Sequence, residues 1–117
     1  MSYKIAIATT DGKVVNQHFG RASVFYIVNA DSEGRKYTYL ESRQVTPVCQ
    51  GKEHDEGKLR EAAGLLKDCN YVLVSQIGEG ARYALEQEKI KVFEIPGFIE
   101  DSIKKLLSYV EVSKLLE

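Results

Sequence analysis

The chain has 117 residues, with 16 basic and 17 acidic side chains, a net charge of −1 and two cysteines. This length suits a single domain, residues 1–117, with a sizeable core. The charges are dispersed and nearly balanced, which argues against nucleic-acid binding. Two cysteines are too few for a disulfide scaffold. No apolar run approaches the roughly 18 residues of a membrane span. The start of the chain enters a strand at once and lacks signal-peptide anatomy, so we expect a cytoplasmic protein.

Three strands are predicted in the first half of the chain. The run 3–9 is strand-like, and Ile5, Ile7 and the alanines between and after them predict burial on both faces, as in a central strand. A turn is predicted at 10–13 and a second strand at 24–30. After a further turn at 31–35, the run 36–43 alternates in polarity, which predicts a strand with one wet face. These three strands are expected to form an antiparallel meander.

Helices and strands alternate in the second half. Apolar spacing predicts a helix at 55–67, followed by a short buried strand at 71–74. A second helix is predicted from 78 or 79 to about 89, and a fifth strand at 91–95. A last helix is predicted from 99 to about 116. The element order is therefore β-β-β-α-β-α-β-α.

This order predicts an α/β fold with a mixed five-stranded sheet. Right-handed crossovers make the later strands parallel to the first, most simply in the order 3-2-1-4-5, with helices on both faces. That is the layout of the ribonuclease H-like fold. The centres of the first and fourth strands carry no carboxylate, however, which argues against a two-metal nuclease. No nucleophile–base motif is present either, so we expect a protein that is not an enzyme.

The candidate ligands gather at one edge of the predicted sheet. His18 follows the first strand, and Cys49 and His54 follow the third. These loops share the carboxyl edge of the parallel strands, where open α/β sheets bind ligands. The first two helices direct their N-termini to this edge, which favours anionic ligands. Cys69 is predicted at the opposite edge, as a buried structural residue.

Thiolate and imidazole together suit iron, iron–sulfur clusters or zinc. The Cys49–His54 spacing lacks the paired cysteines of a closed zinc site, so an open site for a cofactor that arrives and leaves whole fits better. Simpler alternatives remain. His18 could hydrogen-bond within its own loop, Cys49 could be an ordinary loop cysteine, and His54 could belong to the polar start of a helix.

Several motifs resemble one known family from Tyr3 to about Phe98, the dinitrogenase iron-molybdenum cofactor biosynthesis family of NifX, the NafY core and the C-terminal domain of NifB. The resemblance rests on Ile5-Ala6-Ile7-Ala8, Asp11-Gly12, Val15-Asn16-Gln17-His18-Phe19-Gly20, Asp68-Cys69-Asn70-Tyr71-Val72-Leu73 and Ile77-Gly78. The His-Phe-Gly loop is the more specific part. The resemblance implies a ribonuclease H-like fold that carries iron–sulfur precursors of the nitrogenase cofactor.

The resemblance also implies a binding site. His18 corresponds to the family's cofactor-binding histidine, and Cys49-x-Gly51-x-Glu53-His54 resembles the cysteine-containing loop of the NifB C-terminal domain. His54 stands where a second cysteine often occurs. The cofactor-binding residues expected on this basis are His18, Phe19, Gly20, Arg21, Cys49 and His54, with His18 and Cys49 as the metal ligands.

The leading hypothesis is a carrier for an iron–sulfur-type cluster or iron-molybdenum cofactor precursor, bound transiently during nitrogenase-type cofactor assembly. Its expected partners are a cluster donor and a cluster acceptor, with neither nucleic acid nor membrane involved, and it is expected to be a monomer or weak dimer. Arg21 and the helix N-termini would balance the cluster's negative charge. The alternative is a protein-interaction or regulatory module that holds no metal.

Overall fold

A computed structural model describes residues 2–31, 33, 36–46 and 56–116. The elements in chain order are β1 (Ser2–Ala8), β2 (Val14–Val15), a 3-10 turn (Phe19–Arg21), β3 (Val24–Asp31), β4 (Lys36–Gln44), α1 (Glu56–Leu65), β5 (Tyr71–Val74), α2 (Glu79–Gln87), β6 (Lys91–Glu94), β7 (Gly97–Phe98) and α3 (Ile99–Leu115). Among the described helices, none combines the length and the apolar composition needed to cross a membrane.

The main sheet has five strands in the order β4-β3-β1-β5-β6. β1 pairs antiparallel with β3 and parallel with β5, while β3 pairs antiparallel with β4 and β5 parallel with β6. The second half of the central strand β1 is apolar and fully buried, from Ile5 to Ala8, because both faces of the sheet are covered there. The predicted mixed α/β fold with a five-stranded mixed sheet is confirmed.

Helices cover both faces of this sheet. One hydrophobic cluster joins α1 and α2 to one face, through residues such as Leu59 and Leu85. The other joins α3 to the opposite face, through Ile103 and Leu106. The two clusters divide because successive side chains of a strand point to opposite faces. Each fully buried Leu or Ile contributes about 1.5–3 kcal/mol relative to an exposed one.

Strand β4 differs from its prediction. We predicted one wet face, but the strand is exposed along nearly its whole length, and Tyr39 is 53% exposed. β4 lies at the edge of the sheet, with β3 as its neighbour within the described residues. A register shift opposite Ile27 and Val28 leaves Leu40 without a partner residue, and such bulges twist an edge strand away from the sheet. The alternating pattern therefore does not mark a buried face here.

Two short strands, β2 and β7, were not predicted from the sequence. β2 and β7 pair antiparallel, with Val14 opposite Phe98 and Val15 opposite Gly97. The backbone N–H of Ile99 extends this contact by donating to the carbonyl of Lys13, at 2.9 Å. Two-residue strands are too short to show any periodicity, so the sequence pattern gave only turns there. This ribbon fastens the segment after β1 to the start of α3.

The edge opposite the predicted ligand edge is held by an ion-pair cluster. Arg43 donates two hydrogen bonds to the Asp68 carboxylate, at 2.6 and 2.8 Å, and Lys4 contacts the same carboxylate at 3.0 Å. Hydrogen bonding from Arg43 is the main reason why the pKa of Asp68 lies well below its usual range. The neighbouring Cys69 is buried, as predicted, and burial raises the pKa of its thiol to about 11.

Candidate functional site

The loop after β1 begins with a tight turn closed by short polar side chains. The Asp11 carboxylate accepts backbone N–H groups from residues 13 and 14, at 2.9 and 3.1 Å, and these bonds lower its pKa. The Thr9 hydroxyl accepts the N–H of Gly12 at 3.1 Å. Gly12 has a φ of +75°, and a Cβ there would lie 2.5 Å from the ring of Tyr26. Glycine is therefore required, and Asp11 has a structural role.

Asn16 closes the next part of the loop. Its side-chain oxygen accepts the backbone N–H of Thr10 at 3.0 Å, and its side-chain amide donates to the Thr10 hydroxyl at 2.8 Å. Asparagine can make both bonds at once because its side chain carries an acceptor and a donor. The two bonds hold Asn16 against Thr10. The backbone of residue 17, which follows directly, is therefore held in a defined position beside the sheet.

The backbone around His18 extends the sheet beyond the end of β5. The carbonyl of Gln17 accepts the N–H of Ser75, and the N–H of Phe19 donates to the carbonyl of Gln76, both at 3.0 Å. His18 and Gln76 thereby form a parallel bridge. The predicted position of His18, at the carboxyl edge of the parallel strands, is confirmed. The pairing of β1 with β5 ends at Ile7 and Leu73. Beyond that point the His18 loop, in place of β1, is hydrogen-bonded to the segment that follows β5.

Phe19 anchors this loop from below. Its side chain is only 2% exposed, and its ring lies 5.6 Å from the ring of Phe25 in the cluster under α1 and α2. The 3-10 turn that follows is closed by the N–H of Ala22, which donates to the carbonyl of His18 at 3.1 Å. We predicted Phe19 among the cofactor-binding residues, but the structure directs its ring into the core. His18 itself is exposed.

An open pocket of about 380 Å³ lies beside the exposed histidine. Its lining comes from the His18 loop, the segment after β5 and the end of β6, and consists of His18, Gly20, Arg21, Gln76, Ile77, Gly78 and Glu94. The structure thus brings three predicted residues, His18, Gly20 and Arg21, to one pocket. Cys49 and His54 lie outside the described residues.

Glu94 is the pocket residue that sequence reasoning missed. One oxygen of its carboxylate contacts the guanidinium of Arg82 at 3.0 Å, and the other accepts the backbone N–H of Ile77 at 3.2 Å. It lies at the C-terminal end of β6, more than seventy residues from His18 in the chain. The one available signal was an acidic residue at the carboxyl end of a parallel strand, where ligand sites concentrate.

The start of α2 adds positive potential to the pocket. Gly78 precedes the helix in an extended conformation, and no side chain caps the first turn. A helix N-terminus carries about half a positive charge, which adds to that of Arg21. Within the described ranges, no group of three or more His, Cys, Asp or Glu side chains could hold a metal ion. The described pocket therefore presents one imidazole together with the Arg21 guanidinium, the N-terminus of α2 and the Glu94 carboxylate.

Comparisons with known proteins agree on one family. The family model described as "Dinitrogenase iron-molybdenum cofactor" matches residues 1–109. The chain is 35% identical over 99 residues to the FeMo cofactor biosynthesis protein NifB of Chlorobaculum tepidum, covering 85% of this chain and 22% of that protein. It is 36% identical over 105 residues to NifB of Frankia alni, covering 87% of this chain and 20% of that protein. The chain thus spans about a fifth of the length of these curated relatives.

Solved structures share the fold. The crystal structure of PH0822 matches with a TM-score of 0.64 and 26% identity over 90% of each chain. A putative NifB protein from Thermotoga matches with a TM-score of 0.56 and 21% identity over 89% of this chain and 86% of that one. At this lower identity the second likeness shows the fold alone.

Proposed function

The chain belongs to the dinitrogenase iron-molybdenum cofactor family, and from this premise we propose that it carries a metallocluster during cofactor assembly without catalysing a reaction. The cargo is an iron–sulfur-type cluster or an iron-molybdenum cofactor precursor, which one assembly protein delivers and another receives. The domain itself acts as a monomer or weak dimer, and we assign it to the ribonuclease H-like folds. The family match and the relatives' names support the assembly context.

The observation that carries this proposal is the contrast between His18 and Phe19. Adjacent side chains point in opposite directions, one into the core and one into a pocket that Arg21 also lines. The backbone between them is hydrogen-bonded to the end of β5. An exposed imidazole on such a fixed backbone can ligate a metal atom without first ordering its own loop, which lowers the entropic cost of binding.

The chemistry of the pocket fits a cluster better than a bare ion. Neutral imidazole is a good ligand for iron, and two or three protein ligands leave most of the coordination to the cluster's own sulfides. Arg21 and the N-terminus of α2 offset the negative charge of such a cluster. Few protein ligands also mean a short residence time, which a protein that passes on its cargo requires. In this proposal Cys49 is the second ligand and His54 a weaker third.

Anaerobic reconstitution with iron and sulfide, or with an isolated cofactor precursor, tests the proposal. Wild type should bind iron and show sulfide-to-iron absorption bands, and His18→Ala should bind much less. Cys49→Ala should also lose iron, whereas Cys69→Ala is the matched control because Cys69 is buried at the opposite edge of the sheet. Equal iron content and equal spectra in wild type and His18→Ala would contradict the role of His18. If wild type binds no iron at all, the interaction module without metal replaces the carrier.

A further inference from the structure

The segment after β5 has two different neighbours. On one side, Ser75 and Gln76 share backbone hydrogen bonds with the His18 loop. On the other side, the N–H of Ile95 donates to the carbonyl of Val74 at 3.1 Å, at the end of the pairing between β5 and β6. Ile77 lies beyond that bond, and its N–H is accepted by the side chain of Glu94 at 3.2 Å. The Glu94 carboxylate therefore substitutes for a strand at the point where β6 ends.

Arg82 holds that carboxylate in place. Its guanidinium contacts the Glu94 carboxylate at 3.0 Å and donates to the carbonyl of Val92 at 3.4 Å. Its own backbone N–H closes the first turn of α2 by donating to the carbonyl of Gly78 at 3.0 Å. The helix, the end of β6 and the segment after β5 thus meet at one carboxylate. Each of its two oxygens accepts a hydrogen bond and retains a further lone pair.

We propose that Glu94 is a positioning residue for the His18 pocket. It fixes the backbone at Ile77, which orients the carbonyl of Gln76, and that carbonyl accepts the N–H of Phe19 beside His18. This inference rests on the proposed function, because the geometry it protects is that of the cargo ligand. Glu94 also lines the pocket, and Arg82 offsets its negative charge, so the carboxylate can fix the loop without strongly repelling an anionic cargo.

The solvent exposure of the Arg82–Glu94 ion pair indicates that the pair orders the loop locally and contributes little to the stability of the whole domain. The side chains of Arg82 and Glu94 are 38% and 40% exposed, and exposed ion pairs contribute little to the free energy of unfolding. Removing Glu94 should therefore lower the melting temperature by only a few degrees, as expected for the loss of one hydrogen bond. It should nevertheless free the backbone at Ile77, because that N–H loses its acceptor. The faster local opening is then confined to this loop, while the rest of the fold stays closed.

The test compares Glu94→Ala and Glu94→Gln with a matched control. Glu100→Ala is the control, because Glu100 also forms an exposed ion pair, with Lys104 at 3.3 Å, but on α3. In the cargo-free protein, amide hydrogen exchange at Phe19 and the NMR signals of the His18 ring report the loop. Cargo affinity is then measured with an anaerobically reconstituted cluster.

Glu94→Ala should speed exchange at Phe19 and weaken cargo binding, each by about tenfold, which corresponds to one hydrogen bond. Glu94→Gln should keep most of the slow exchange at Phe19 and most of the cargo affinity, because its amide oxygen can accept the N–H of Ile77. Glu100→Ala should change neither.

The outcomes distinguish this inference from the proposed function. Unchanged Phe19 exchange and unchanged His18 signals in Glu94→Ala overturn the positioning role, whether or not the cargo binds. A loosened loop with undiminished cargo affinity overturns it as well, since the position of the loop would then be irrelevant to binding. A wild type that binds no cargo, together with a Glu94→Ala variant that loosens the loop, supports the positioning of His18 and refutes the carrier function.

Discussion

Replacing Phe19 tests whether its ring is an anchor or a ligand contact. Phe19 is 2% exposed and packs against Phe25, so Phe19→Ala removes a fully buried aromatic ring. Such substitutions cost about 3–5 kcal/mol. A domain of this size has a total stability of about 5–15 kcal/mol, so the loss is a large fraction of the whole. Phe19→Leu keeps most of the volume and should cost less than about 1.5 kcal/mol.

Urea unfolding followed by circular dichroism measures these differences, with an unchanged slope against denaturant as the check on two-state behaviour. Phe98→Ala is the matched control because Phe98 is 66% exposed, and its effect should stay within about 0.5 kcal/mol. A Phe19→Ala cost as small as that of the control would refute the anchoring role. Loss of cargo uptake in Phe19→Leu, with neither a loss of stability nor faster amide exchange in the His18 loop, would show instead that the ring contacts the cargo.

Three further predictions concern the supporting structure. Gly12→Ala should cost about 2 kcal/mol in unfolding experiments, because its φ of +75° disfavours a Cβ and the added atom would displace Tyr26. The pKa of Asp68 is lowered by Arg43, so the pair stabilises above about pH 4 and less as the pH falls. Asp68→Asn should cost about 1 kcal/mol at pH 7, since the carboxylate is 44% exposed, and the difference should shrink at pH 2. In a variant without the other cysteine, Cys69 should react with iodoacetamide at pH 8 roughly a hundredfold more slowly folded than unfolded, because burial raises the pKa of its thiol to about 11.

Apolar patterning was sufficient to predict the framework. The run Ile5 to Ala8 of β1 is apolar on both faces because the strand is central, and the helical spacing around Leu66 and Leu106 marks the two faces of the sheet. The same rules gave the strand directions, which place His18 at the carboxyl edge. They failed at β4, where alternation marks an edge strand with little burial, and at β2 and β7, which are too short to carry a pattern.

The site was less predictable because its geometry depends on contacts between distant residues. Asp11 had no evident partner in the sequence, since its partners are backbone N–H groups that converge only after the chain turns at Gly12. Glu94 acts through a single hydrogen bond to Ile77 and one contact with Arg82. Such pairings carry no periodicity. The inward direction of the Phe19 ring could not be predicted either, because an aromatic side chain next to a ligand residue can pack into the core or contact the ligand.

A carrier with few ligands needs a fixed loop. Each protein ligand removed makes release easier but also lowers affinity, so each ligand that remains must lose little conformational entropy when it binds. The His18 loop has three independent anchors for this purpose: the buried ring of Phe19, the backbone bonds to Ser75 and Gln76, and the β2–β7 ribbon. Rigidity then compensates for the small number of ligands. It follows that loosening any one anchor should weaken cargo binding even though every ligand remains in place.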